Sequence, residues 1–282
     1  MEKISLLIFL IAVVANIFKA VIYKKCSNEI KSTNITFMLT FFLMLTSIGF
    51  VPIYYEFIVK DIFENYLYVL IPFFKGIFYF YYLNSSNELS KQSGSSRAIV
   101  PIIAVGIIAL INYSYLDDKL NLNQLISAIL ITVLGVFYYF YGHIKSNIAA
   151  KKSFLLLLLF SVILSVFDHW GLSNVHWSTF MLVSCITVYL MNYTLKKSEK
   201  VEISKVFNNY ALIGLCTYYI AMELFLMNVR VTYISITMLN IATLMSSPLI
   251  MIYMNIVYKE STIRKQFVFG ILAAMIGVIA LI

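Results

Sequence analysis

The sequence predicts an all-α integral membrane protein of about ten transmembrane helices, folded as two inverted five-helix repeats. Three observations predict it. Hydrophobic residues make up 61% of the 282 positions and charged residues only 12%, against an apolar share of about 45–50% in soluble domains. Ten apolar runs, most about 17–25 residues long as a bilayer span requires, are separated by polar breaks. A charged turn followed by an apolar helix occurs once near position 120 and again near 262.

The first run, 4 to 23, follows Met1-Glu2-Lys3, which has the charge of a signal peptide but no small-residue cleavage pattern, so a retained span is expected. Runs at 34 to 55, 66 to 86, 97 to 115 and 122 to 142 complete a first unit, residues 1–142. The polar break His143 to Lys152 lies near the midpoint and is the connecting loop, 143–152. A second unit, 153–282, holds runs at 153 to 172, 176 to 195, 207 to 228, 232 to 257 and 264 to 282.

The net charge of +8 is what cytoplasmic loops rich in Lys and Arg produce in a membrane protein, so it does not predict nucleic-acid binding. Cys26, Cys185 and Cys216 lack metal-ligand spacing. No Walker A, H-E-x-x-H or G-x-S-x-G pattern occurs, so neither a cofactor nor an enzyme is expected. Counting ten spans puts most Lys and Arg on one side, from Lys24 and Lys25 through Lys151 and Lys152 to Lys265, with Lys3, Lys60, Lys119 and Arg230 on the other. In a cytoplasmic membrane the positive-inside rule would make the first side cytoplasmic and both termini external. A span count different by one would reverse an end, and the orientation of the termini stays open.

The halves match at a constant offset of 142 residues. "LDDKLNLNQLISAILITVLGV", from Leu116, pairs with "YKESTIRKQFVFGILAAMIGV", from Tyr258, setting Asp118 against Glu260, Gln124 against Gln266 and Gly135 against Gly277. Five spans per copy, an odd number, turn the second copy upside down relative to the first. Pro248 precedes Glu260 by twelve positions, while in the first copy Gly106 stands in the equivalent place and the proline lies earlier, at Pro101. These helix, turn and helix units resemble the EamA-type repeat of the drug/metabolite transporter superfamily. The resemblance implies a transporter that moves a small polar or amphipathic metabolite through a central cavity by alternating access of its two halves. Uptake or export, the substrate and the oligomeric state stay open.

An ionisable group inside a span costs about 2.5–3.5 kcal/mol on insertion scales, so it is normally aimed at a cavity or a partner. Lys75 lies in the third span on a stripe with Tyr68, Tyr79, Tyr82 and Ser86, which either lines a translocation cavity or pairs structurally with a carboxylate. Asp168, His169 and Trp170 lie toward the end of the sixth span. They could bind a polar substrate or a coupling proton, or sit in interfacial water where the helix ends. Glu223, with Tyr219 one turn back, is a candidate partner for Lys75 across the halves. Thr237, Asn240 and Ser247 form a polar stripe that either lines the pathway or glues helices together. Lys19 is read as snorkelling toward Lys24 and Lys25 at the surface. The abundant aromatics could hold an organic cation, or form interfacial belts. The rivals to a transporter are a membrane enzyme using Asp168 and His169 on a lipid-linked substrate, and a non-transporting scaffold or sensor.

Overall fold

The computed structural model describes residues 2–92, 94–115, 122–141, 148–195, 209–232 and 236–259, with 268, 271–272 and 275–276. Its helices are α1 (Glu2–Glu29), α2 (Ser32–Gly49), α3 (Val51–Glu64), α4 (Tyr66–Gln92), α5 (Gly94–Tyr115), α6 (Leu122–Tyr141), α7 (Ile148–Asn174), α8 (Trp177–Leu195), α9 (Tyr210–Thr232) and α10 (Ile236–Tyr258). No strand occurs among the described residues. Among the described residues four helical stretches, Ser32–Gly49, Tyr66–Gln92, Lys151–Asn174 and Trp177–Leu195, are long and apolar enough to cross a membrane. This is an all-helical, multi-pass membrane protein. The turns 116–121 and 260–267 that carry the internal match, and most of the expected tenth span, lie outside the described residues.

Polarity is distributed as lipid demands. Large apolar side chains such as Val14, Phe18, Val133, Leu155, Leu190 and Ile256 are exposed, while Asn34, Thr36, Thr40, Asn87, Ser184 and Asn192 are buried. Without a hydrophobic force between helices in lipid, close packing and hydrogen bonds must join them. Asn87 Nδ2 on α4 donates to Thr36 Oγ1 on α2 at 2.6 Å, and Asn192 Nδ2 on α8 donates to Thr40 Oγ1 one turn along at 3.2 Å. Thr36 and Thr40 also donate back to the carbonyls of Ser32 and Thr36, so neither hydroxyl burdens the helix with an unmet donor.

The second expected span, 34 to 55, ends earlier, at Gly49, and a separate helix, α3, follows. Pro52 explains the break: at the start of a helix its missing N–H and fixed φ are tolerated, whereas inside α2 they would not be. α1 and α4 run beyond their expected ends, to Glu29 and Gln92. The apolar runs alone underestimate them because Ser27, Asn87 and Ser90 are polar yet buried between helices.

α4 packs against α7 and α8 most extensively and also touches α1, α2, α3 and α5. α1 packs on α9 and α10, and α5 on α6, α7 and α10. The close approach of α4 to α8 is made at Gly76, where an added Cβ would lie 2.6 Å from Thr187 Cβ and 2.7 Å from the Ser184 carbonyl oxygen. A backbone oxygen cannot rotate away as a side-chain end can. Gly76→Ala is therefore expected to destabilise the bundle by about 1–3 kcal/mol, the range for overpacking. Gly214→Ala on α9 meets open space and should be neutral or stabilising, as removal of a helical glycine usually is. Thermal midpoints of the two variants in lipid nanodiscs check this, and equal midpoints would contradict the close packing.

α3 is fixed to the start of α8 by a carboxylate and an aromatic corner. Buried Asp61 accepts the backbone N–H of His176 at 2.8 Å through Oδ2 and the Asn65 amide at 3.3 Å through Oδ1. The His176 ring stacks on Phe57 with centroids 4.3 Å apart, and Trp177 meets Tyr54 edge-on at 4.8 Å. Such amphipathic rings suit a membrane interface. The Ser178 amide donates to His176 Nδ1 at 3.3 Å, which requires that nitrogen to be unprotonated. Desolvation lowers the His176 pKa below its ordinary value, and the Asp61 charge opposes it. The unfolded chain therefore binds the proton first, near the ordinary value of about 6.5. The stabilisation is intact above that pH and is lost as pH falls toward the folded midpoint. Histidine-selective NMR in nanodiscs should show His176 titrating below an ordinary histidine, with Asp61→Asn moving it lower still. An upward move in that variant would contradict the assignment.

Candidate functional site

Lys75 is buried on the face of α4 that meets α7 and α8. Its ammonium lies 2.8 Å from Asp168 Oδ1 on α7, with side-chain exposures of 7% and 11%. The same ammonium stands 4.5 Å from the ring centroid of Phe180 on α8 and 6.0 Å from that of Tyr79. Phe180 reaches this position because Gly171, one turn beyond Asp168, has no side chain where the ring lies. Three helices thus enclose one ion pair, with an aromatic face completing the cation's surroundings.

A second group of charges surrounds a cavity of about 90 Å³ between α1, α4, α5, α7 and α10. Lys19 and Lys24 on α1 and Arg97 on α5 line it, with Asn16, Ser161 and Ser247 among the polar contributors. Each cation meets a tyrosine ring: Lys19 over Tyr219 at 4.5 Å, Lys24 over Tyr258 at 5.8 Å and Arg97 over Tyr23 at 4.0 Å. Lys24 also donates to the Ser90 carbonyl at 2.9 Å. Pro101 lines the same cavity inside α5. It removes the amide that would otherwise pair with the Arg97 carbonyl, and in that loosened turn Ser247 Oγ of α10 donates to the Ala98 carbonyl at 2.9 Å.

α4 connects the two groups. Tyr82 lines the cavity and stacks on Tyr79 at 5.9 Å, and Tyr79 lies beside Lys75. The seven residues from Lys75 to Tyr82 span about 10 Å of helix at 1.5 Å per residue.

Lys75 and Asp168 are brought together, and Tyr79 and Tyr82 lie on the same face; Ser86 of that stripe is buried and Tyr68 is exposed. His169 is half-buried and Trp170 is 50% exposed, so the three consecutive residues of α7 do not share one environment. Tyr219 is buried beneath Lys19 rather than beside Lys75. The side chains of Glu223, Thr237 and Asn240 lie outside the described residues. The expectation that Lys19, Lys24 and Lys25 share a surface cluster is corrected: Lys25 is exposed, whereas Lys24 is buried and both Lys19 and Lys24 line the cavity. Arg97, the first residue of the expected span 97 to 115, is one turn inside the start of α5 and half-buried. The signal that could have revealed it is Arg-Ala-Ile-Val-Pro, a cation placed four residues before a helix-loosening proline. Among the described residues no group of His, Cys, Asp and Glu is placed to hold a metal ion.

Compared with protein-family models and with curated proteins, the chain matches none.

Removing one member of a buried ion pair typically costs about 3–5 kcal/mol, because the other charge is left uncompensated, while replacing both by apolar groups is often neutral. Lys75→Met and Asp168→Leu should each destabilise the bundle by roughly that amount. The double variant should be markedly less destabilised than their sum, a coupling read from unfolding midpoints in a double-mutant cycle. Additive effects would show that the two side chains do not depend on each other.

Proposed function

We propose that the protein is a secondary transporter that moves a small polar or amphipathic metabolite across the cytoplasmic membrane by alternating access. The observation that carries this reading is the Lys75 to Asp168 pair, which joins a helix of the first half of the chain to one of the second. An ion pair across two moving bodies can break in one state and reform in another. A proton delivered to Asp168 would dissolve it, which is where a coupling proton would act.

The arrangement of helices supports the inverted repeat, with residues 1–142 and 153–282 as the two units. With α2 and α3 counted as one span, advancing each span by five turns the packing of α4 on α7 and α8 into that of α9 on α1 and α2, which also pack. The same shift exchanges α1 on α10 with α7 on α5, and leaves α5 on α10 and α2 on α8 unchanged. All of these contacts occur, as a pseudo-twofold bundle requires. That pattern and the proline-bearing α5 and α10 at the cavity favour the drug/metabolite transporter resemblance. The membrane-enzyme reading has less support, because Asp168 is tied to Lys75.

Reconstituted vesicles screened for counterflow of small polar and amphipathic metabolites test the proposal. At least one compound should exchange in the unaltered protein, with Lys75→Ala and Asp168→Asn reducing exchange to background while their abundance in the membrane is maintained. Normal flux in both variants would remove the ion pair from the mechanism. No exchange of any compound, with lipid turnover by the purified protein, would favour the enzyme.

A further inference from the structure

We infer that α3 is an interfacial helix, lying across one end of the bundle with Tyr55, Val59, Ile62 and Phe63 set into the headgroup and acyl boundary of the bilayer and Glu56, Lys60 and Glu64 in water. The inference is independent of the transport reading and needs only that the chain spans a membrane.

Length and placement come first. α2, with 18 residues, measures about 27 Å at 1.5 Å per residue, close to the roughly 30 Å of a hydrocarbon core. By Gly49 the chain has used the thickness available to it, and the 14 residues of α3 measure only about 21 Å, too short for a second crossing. Nor does α3 project away from the bundle. Phe50 and Tyr54 meet the Trp177 ring, Tyr54 and Phe57 meet the His176 ring, and Asp61 accepts the His176 amide. Contacts from position 50 to position 61 thus converge on two adjacent residues at the start of α8, which holds the helix across that end. The span count is unchanged, since α2 alone traverses the bilayer.

The sequence then divides α3 into three faces. Beyond the non-helical turn at Tyr54, successive residues advance by about 100° around the axis. Ile58 and Asp61 are buried toward the bundle. Glu56, Lys60 and Glu64, each one turn apart, form an exposed stripe on another side, and Lys60 and Glu64 lie 3.9 Å from each other. Between these faces runs an apolar flank of Tyr55, Val59, Ile62 and Phe63, within an arc of about 100°. Tyr55, Ile62 and Phe63 are exposed, Phe63 to 79%.

Lipid is the cover that the surroundings of this flank supply. α4, against which α3 packs, begins two residues after α3 ends, and its first turns expose Tyr66, Leu67 and Leu70 within a stretch apolar enough to span. The apolar flank is therefore continuous with the lipid-facing surface. Amphipathic helices at a membrane interface bury their apolar side about 5–10 Å into the headgroup and acyl boundary, and aromatic side chains such as Tyr55 and Tyr66 favour that depth. With two glutamates to one lysine, the polar stripe has no attraction for anionic headgroups. Apolar insertion alone holds the helix, so a zwitterionic bilayer suffices.

Site-directed fluorescence in phosphatidylcholine nanodiscs tests this, using the full chain with Cys26, Cys185 and Cys216 replaced by serine and an environment-sensitive thiol label introduced by Ile62→Cys, Phe63→Cys or Glu56→Cys. Labels at positions 62 and 63 should emit to the blue of the label at 56. They should lose intensity to phosphatidylcholine carrying a nitroxide high on its acyl chain and little to iodide, and the label at 56 should do the reverse. Quenching at 63 by iodide alone would put the flank in water. Protection from both quenchers would put it under another protein chain, such as a second copy, and stronger quenching by a nitroxide at the chain end would make α3 a deep segment; each of these overturns the inference. If the cysteine-free protein does not fold, Phe63→Trp and Glu56→Trp in the unaltered chain give the same comparison with brominated lipid. The fluorescence added at position 63 should be lost to the bromines and that added at 56 retained, whereas equal loss would contradict the assignment. Absence of metabolite counterflow leaves these readings unmoved, so failure of the transport reading and failure of this one are distinguishable.

Discussion

The cost of holding positive charge inside a bundle whose outer surface is apolar shapes this structure. Lys75 lies on α4, which packs extensively on α7 and α8, and its charge is matched by one carboxylate and one aromatic face supplied by those two helices. That arrangement requires two absences of side chain. Gly76 lets α8 approach α4, and Gly171 leaves space for the Phe180 ring. The ion pair is therefore also a packing device, and the helices around it cannot shift separately without exposing a charge to a poorly solvating interior.

The same constraint organises the cavity differently. There the cations meet tyrosine rings and backbone carbonyls, as with Lys24 on Tyr258 and the Ser90 oxygen. One cluster is a buried ion pair, whereas the other sets cations and tyrosine rings around a cavity. Tyr79 and Tyr82 lie between them on α4, so displacement of that helix would alter both at once. A ligand that favours one position of α4 would thereby bias the state of the ion pair, which is the coupling an alternating-access cycle needs.

Much of this was legible in the sequence for one reason: insertion cost. Lys75 and Asp168 are expensive in apolar runs, and both are buried and functional-looking for that reason. Their pairing was not legible, because spacing along one chain does not say which helices adjoin, and Glu223 satisfied the same criterion. Arg97 and Lys24 do not read as interior groups because each adjoins a polar break, where a cation ordinarily reaches water; the extension of α1 to Glu29 and of α4 to Gln92 encloses them. α3 was missed because Pro52 ends one helix and begins another inside a nearly continuous apolar run, which hydropathy averages into one span.

The central claim is that the cavity opens to each face of the membrane in turn. Its most direct measurement is the reactivity of a single cysteine at Ser161, in a background lacking Cys26, Cys185 and Cys216, toward a membrane-impermeant thiol reagent applied from either side of sealed vesicles. The account predicts labelling from both sides, with Lys75→Met shifting the ratio between them. Labelling from one side only, unchanged when the ion pair is broken, would contradict it.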